Sequence, residues 1–414
     1  MSERPTSGSE KLAPNANTET PSASVADLAR LHQLRDDVSQ DTIVVVGGGV
    51  IGLSITWRLA EAGRRVILLE RRDHLGRGAS WAAAGMLAPV AEVDYVEEAL
   101  LTLKLDSMRR YPGFVAELEA ASDLSVGYRD EGTLVLAIDR DDAEDLRHLY
   151  DYQRELGLPV TWLDGDQARE REPFLSPYVQ AAVEVGCDHQ IDNIQMLDAL
   201  TVAARRAGAT IVTGVEVTGV QCPSGRVQGL TARATHGDPT PVTIACDEVV
   251  IAAGCWARRL DGLGPSRPPV RPVKGQIMGV QMEPEAVLSR VVRAPDCYLV
   301  PRDNGLLVIG ATSEEKGFDE TLTAGGLFSL LRGAYETLPV VYELPVVYTR
   351  VGLRPGSLDN APILGPTRVA GLTMATGHFR NGILLTPVTA DLVSEAILTG
   401  RASDALKPFL LDRF

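Results

Sequence analysis

The densest chemistry in the chain is Gly47-Gly48-Gly49-Val50-Ile51-Gly52, a G-x-G-x-x-G run. Gly47 permits a tight turn, Gly49 lets main chain approach a diphosphate, and Gly52 lets a helix pack on a sheet. A helix opening at Val50 turns free N–H groups and its positive dipole end toward phosphate oxygens. Glu70 follows 18 residues after Gly52. A carboxylate there accepts from ribose hydroxyls and repels a 2′-phosphate, which disfavours NADP. Further on, Ser80-Trp81-Ala82-Ala83-Ala84-Gly85-Met86-Leu87 is rich in small residues. Such a run lets backbone approach a flat ring system or, alternatively, lets helices pack closely. These pieces predict a dinucleotide cofactor; the glycine motif leaves FAD and NAD both open.

The elements that must position them follow from periodicity. Thr42–Val46 is a β-branched run that reads as a buried parallel strand, Val50–Ala62 as a helix closed by Gly63, and Arg65–Glu70 as a second strand. That strand–turn–helix–strand context is what the glycine motif requires. Helical periodicity continues over Val93–Ala121, with an interruption expected near Pro112, and over Asp141–Leu156, Ile194–Ala207 and Leu327–Leu338. Glu216–Cys222, Arg226–Ala234 and Val242–Cys246 read as a three-stranded antiparallel unit with turns at Ser224-Gly225 and Gly237-Asp238. Gly132–Ile138, Thr210–Val212, Asp247–Ala253 and Ala370–Thr376 read as further strands, and Gly382–Thr399 as the last helix.

Composition narrows the class. At 414 residues, 45% hydrophobic and 23% charged, the chain is that of a globular protein with two domains. A formal net charge of −15 argues against nucleic acid or an anionic membrane as partner. No apolar stretch is long enough for a transmembrane helix. Residues 1–38, rich in Ser, Thr, Pro and Glu and without a signal-peptide core, read as a disordered tail. Five scattered cysteines without a CxxC indicate neither disulfides nor a metal site and fit a reducing cytoplasm.

Four further segments carry a family resemblance: Ala82–Leu87 (AAAGML), Cys297–Arg302 (CYLVPR), Gly352–Gly356 (GLRPG) and Gly377–Leu385 (GHFRNGILL). With them the chain resembles the D-amino-acid oxidase and glycine oxidase superfamily, and most of all glycine oxidases of the ThiO type, from Thr42 to the C-terminus. The resemblance implies FAD rather than NAD. It also implies an α/β architecture in which a Rossmann-like FAD-binding domain (41–105, 190–262 and 350–414) interleaves with a β-rich α+β substrate domain (106–189 and 263–349). The cysteine and the histidine that tether flavin covalently in related enzymes have no counterpart here, so a noncovalent flavin is expected. Relatives suggest a homotetramer.

By motif match, Gly47, Gly49, Val50, Ile51, Gly52, Glu70 and Arg71 are expected at the adenosine and diphosphate, with Val217 meeting the adenine. Ala79, Ser80, Ala84, Gly85 and Met86 are expected along the ribityl chain and the ring. His378, Phe379, Arg380, Asn381, Gly382, Ile383 and Leu384 are expected to cradle the flavin, with helix N-terminal amides at its N1–C2=O edge. The resemblance makes Arg354 the carboxylate-binding arginine and Tyr298 a second donor to the same carboxylate. It makes Arg380 a further substrate contact and leaves Met86 as either pocket wall or core packing. Lys274 reads as a strand lysine rather than an oxygen-activating charge. Asp296 stands where a compared glycine oxidase has histidine and is expected to point outward. The implied activity is oxidation of glycine, sarcosine or a small D-amino acid by oxygen. A dehydrogenase with another acceptor is an alternative, as is a non-catalytic FAD-binding subunit. A place in thiamine thiazole assembly is implied by the resemblance alone.

Overall fold

The computed structural model describes residues 28–39, 41–93, 95, 98–282 and 286–414. Its first sheet has six strands in the order Ile363–Pro366, Leu372–Thr376, Glu248–Ile251, Thr42–Val46, Arg65–Leu69 and Thr210–Val212. All neighbours run parallel except the first pair, which is antiparallel. Every residue of Thr42–Val46 is buried, because this parallel sheet is covered on both faces. Alternation then sorts the side chains. Ile43, Val45 and Leu68 face a helical layer with Leu53, Trp57 and Leu200, while Val44, Val46 and Ile67 face the three-stranded antiparallel unit through Val217, Leu230 and Ile244.

The second sheet has eight strands, ordered Val346–Gly356, Arg271–Gln281, Leu306–Gly310, Tyr298–Pro301, Val291–Arg293, Thr133–Ala137, Ala181–Val185 and Val160–Asp164. Only the Val291–Arg293 and Thr133–Ala137 pair is parallel. The chain threads the two sheets alternately, so the α/β cofactor layer and the β-rich layer are interleaved.

Three expectations need correction. The tail assigned to 1–38 is too long: Leu28–Asp37 is a helix, and Leu34 is buried against the three-stranded unit. Residues 1–27 of that tail lie outside the described residues. The helix Glu98–Ser122 runs through Pro112 without a break. Proline costs about 3 kcal/mol in a helix interior, and here Met108, Tyr111, Phe114 and Leu118 bury their side chains on both sides of it. Finally, the last helix begins at Thr386 rather than Gly382, with Pro387 in its first turn.

Candidate active site

One elongated cavity of about 520 Å³ runs from the Gly47 turn at the six-stranded sheet to Tyr298 and Arg354 on the eight-stranded sheet. Local geometry explains the glycines at its first end. Gly47 has φ +112°, and a Cβ there would lie 2.5 Å from the carbonyl oxygen of Ala252. A Cβ at Gly52 would lie 1.9 Å from the carbonyl oxygen of Gly47, so Gly52 sits behind the cavity as the contact between helix and turn. Glu70 accepts from the Gly48 N–H at 2.7 Å and from the Arg72 N–H at 2.9 Å, which fixes its carboxylate in the cavity wall. The Val50 N–H donates to Ser80 Oγ at 3.1 Å, so the amide opening the helix is shared with a side chain of the next loop. Val217 lies on the wall beside them, and Arg71 stacks over the ring of Trp256 at 3.8 Å. Burial and the adjacent Arg72 lower the Arg71 pKa.

Along the middle, Ala79, Ser80, Ala84, Gly85 and Met86 face the cavity. Gly85 has φ +74°, and its missing side chain leaves room for the Ile191 carbonyl. Arg302, which no local signal singled out beyond its motif, is the tether for this loop. It is buried, donates to the carbonyls of Ala84 and of Ile191 (2.7 Å), and reaches Asn193 Oδ1 at 3.3 Å. Asn193 in turn donates to the Ser80 carbonyl at 2.8 Å.

At the far end the register of the second sheet does the positioning. Tyr298 lies opposite Gly310, and a Cβ on Gly310 would come within 2.4 Å of the Tyr298 ring. Arg354 donates to the carbonyls of Thr312 (3.0 Å) and Lys274 (3.5 Å) and has no acidic partner among the described residues. Burial pushes the Tyr298 phenol up to about 12, against the opposing pull of the Arg354 guanidinium. Glu92 and Arg293, absent from the sequence reading, share this end of the wall at 3.9 Å from one another. Met86 lines the same stretch.

The Gly377–Leu385 turn divides. His378, Phe379, Arg380, Gly382 and Ile383 line the cavity, whereas Asn381 and Leu384 are buried behind it. The helix amides expected at the flavin edge begin three residues later, and the Asn381 and Leu385 amides close the turn onto His378 and Asn381 carbonyls. His378 pairs with Thr389 Oγ1 at 3.1 Å, and burial lowers its pKa to about 3, so it stays neutral. Arg380 is exposed at the rim over Phe379. Asp296 is also at the rim, exposed, and paired with Arg332 at 3.4 Å. Lys274 is outside the cavity lining, fully buried and paired with Asp319 at 3.1 Å.

An elongated cleft that starts at a dinucleotide turn and ends at an uncompensated arginine has a counterpart among known proteins. The model of the family described as DAO, FAD dependent oxidoreductase, matches residues 42–396. The chain belongs to that family. Within it, a glycine oxidase from Geobacillus kaustophilus is 36% identical over 375 residues, covering 90% of this chain and 96% of that protein. The crystal structure of glycine oxidase from the same organism superposes with a TM-score of 0.83, covering 90% of this chain and 98% of that one. The bifunctional protein ThiO/ThiG of Trichormus variabilis is 35% identical, over 90% of this chain and 55% of its own length. The hydrogen cyanide synthase subunit HcnC of Pseudomonas aeruginosa is 32% identical, over 90% and 96%. The protein is thus an FAD-dependent oxidoreductase of the DAO family. The cradle fits FAD: at Gly47 a Cβ would strike backbone, and at Gly352 it would lie 2.6 Å from Ala82, so main chain closes on the cavity where a dinucleotide and a flat ring need it.

Proposed function

We propose that this DAO-family protein is a glycine oxidase, converting glycine, oxygen and water to glyoxylate, ammonia and hydrogen peroxide. The observation that carries the reading is Arg354, a guanidinium facing the cavity with only carbonyl partners. Its planar fork suits both oxygens of a carboxylate and sets the substrate's orientation. Tyr298, un-ionised across the working pH range, donates its O–H to the same carboxylate. Met86 and Glu92 narrow the wall, which favours a substrate with little or no side chain. Arg380 guards the rim. Bound FAD supplies the two-electron acceptor, whose electrons oxygen then removes. The residues themselves orient the Cα–H, and no protein base is needed when the amine enters uncharged.

The same reading makes Gly47, Gly49, Val50, Ile51, Glu70, Arg71 and Val217 the adenosine diphosphate contacts. Ala79, Ser80, Ala84, Gly85, Met86, His378, Phe379, Gly382 and Ile383 are the flavin contacts, with Gly52, Asn381 and Leu384 supporting them from behind. It takes 41–105, 190–262 and 350–414 as the cofactor domain, 106–189 and 263–349 as the substrate domain, the flavin as noncovalent, and the assembly as a cytoplasmic homotetramer. A role in making the imine for thiamine thiazole is supported by the relative named ThiO/ThiG. No helix among the described residues is long and apolar enough to cross a membrane.

Anaerobic titration of the yellow protein with glycine tests the proposal; bleaching of the flavin supports it, and an unchanged spectrum rejects it. Sarcosine, D-alanine and D-proline rates rank the substrates, and a strong preference for a bulky D-amino acid replaces glycine oxidase with D-amino-acid oxidase. The relative named HcnC favours a second reading, a dehydrogenase with an acceptor other than oxygen. Slow stopped-flow reoxidation by oxygen supports that one.

A further inference from the structure

Residues Val90 and Ala91 are buried and carry no side chain that could do chemistry, yet three buried polar side chains from separate elements grip this stretch of main chain. Asp188, fully buried, accepts from the Val90 N–H at 3.1 Å and from the Ala91 N–H at 2.8 Å, one with each carboxylate oxygen. Gln153, from the helix Arg140–Glu155, donates to the Val90 carbonyl at 3.0 Å. Lys104, from the helix Glu98–Ser122, donates to the Glu92 carbonyl at 3.3 Å. Burying a carboxylate is costly even when paired, and burial pushes Asp188 up to about 7 despite its two amide donors. What the expenditure holds still is Glu92, whose carboxylate reaches the cavity wall beside Arg293 and raises the Tyr298 phenol electrostatically.

We propose that Asp188 is a positioning residue for the substrate end of the cavity, acting through Glu92. The two amide bonds set the direction of the chain at Ala91, and with it the distance of the Glu92 carboxylate from the substrate held between Arg354 and Tyr298. Asp188 does not touch substrate or flavin. The role rests on the glycine oxidase reading, because it supposes a small zwitterionic substrate whose nitrogen end meets the Glu92 side of the wall.

Asp188→Asn keeps the shape but turns one acceptor into a donor that faces an N–H. The expected result in the FAD-loaded protein is a KM for glycine raised about 5- to 10-fold, with kcat and FAD affinity within about twofold. Amide exchange at Val90 and Ala91 should accelerate at least about 10-fold, with the Gly47–Ile51 amides unaffected. Glu92→Gln should also raise KM, and the double variant should cost no more than the larger single effect, because both changes act on one carboxylate. Additive effects, a fall in kcat at constant KM, or unaltered exchange would overturn the proposal. Should Asp188→Asn not fold, Asp188→Glu, one methylene longer, displaces the same segment and is judged by the same criteria. Wild-type protein inert toward glycine fails the parent reading before any variant is compared, while the exchange measurement still reports on the tether.

Discussion

Gly275 vacates the space that the Arg354 guanidinium fills: a Cβ on Gly275 would lie 2.4 Å from Nη1 and 2.6 Å from Cζ of Arg354. Gly275 pairs with Gly352 across the strands, so the arginine two residues on lies against a bare stretch of sheet. Gly275→Ala should therefore push the guanidinium off its carbonyl partners. Steady-state kinetics should show KM for glycine raised about 10-fold or more with FAD content unchanged, whereas Arg354→Leu should lower kcat/KM by about 100-fold or more. An alanine variant with wild-type KM would show that the glycine is not what admits the arginine.

Tyr298→Phe removes one neutral donor in a partly buried site. The expected loss is about 10-fold in kcat/KM, the worth of one such hydrogen bond. Because the wild-type phenol is held up at about 12, no alkaline limb below pH 10 should belong to it. Matching pH profiles of wild type and Tyr298→Phe check this point.

Glu70 holds two main-chain amides and faces the proposed ribose, so Glu70→Gln loosens both. FAD affinity, read by flavin fluorescence on reconstituting the apoprotein, should weaken about 10-fold. The KM for glycine at saturating FAD should stay the same.

Two buried groups make opposite contributions to acid stability. His378, depressed from 6.5 to about 3, leaves the unfolded chain binding the extra proton between those values, so its stabilising contribution is lost as pH falls. Asp188, raised from 3.8 to about 7 with Glu92 and Lys104 facing it, binds the extra proton in the folded chain, so its contribution is lost as pH rises. Where the windows overlap, from 3.8 to 6.5, the two slopes cancel. Asp188→Asn should unmask the histidine, adding a loss of about 1.4 kcal/mol per pH unit on acidification relative to wild type. Urea unfolding of both proteins at several pH values measures the difference.

What the sequence discloses is what local pattern encodes. The strand at Thr42–Val46, the glycine turn and the helix from Val50 lie within 20 residues of one another, and their hydrophobic period and turn chemistry are sufficient to read them. Ala181–Val185, a strand with little β-branched content before its last residues, carried no such signal and became visible only through its pairing with Thr133–Ala137 and Val160–Asp164. The site divides in the same way. Arg302 reaches Ala84 across 218 residues of sequence, and Arg293 meets Glu92 only because strands from the two regions become neighbours. Trp256 follows a strand end without any pattern to mark it as a platform for Arg71. Family motifs point to Tyr298 and Arg354; the bare glycines opposite them belong to cross-strand register, which a linear reading does not contain.

The six-stranded order has a consequence for biosynthesis. Thr42–Val46 leaves the ribosome early, yet its neighbour Glu248–Ile251 is some 200 residues later and the next strand, Leu372–Thr376, nearly at the end of translation. A growing polypeptide thus exposes the Gly47 turn long before the opposite bank of the crevice exists. Vitamin capture is an event of the finished chain, and a cell short of riboflavin accumulates full-length, colourless protein rather than stalled fragments.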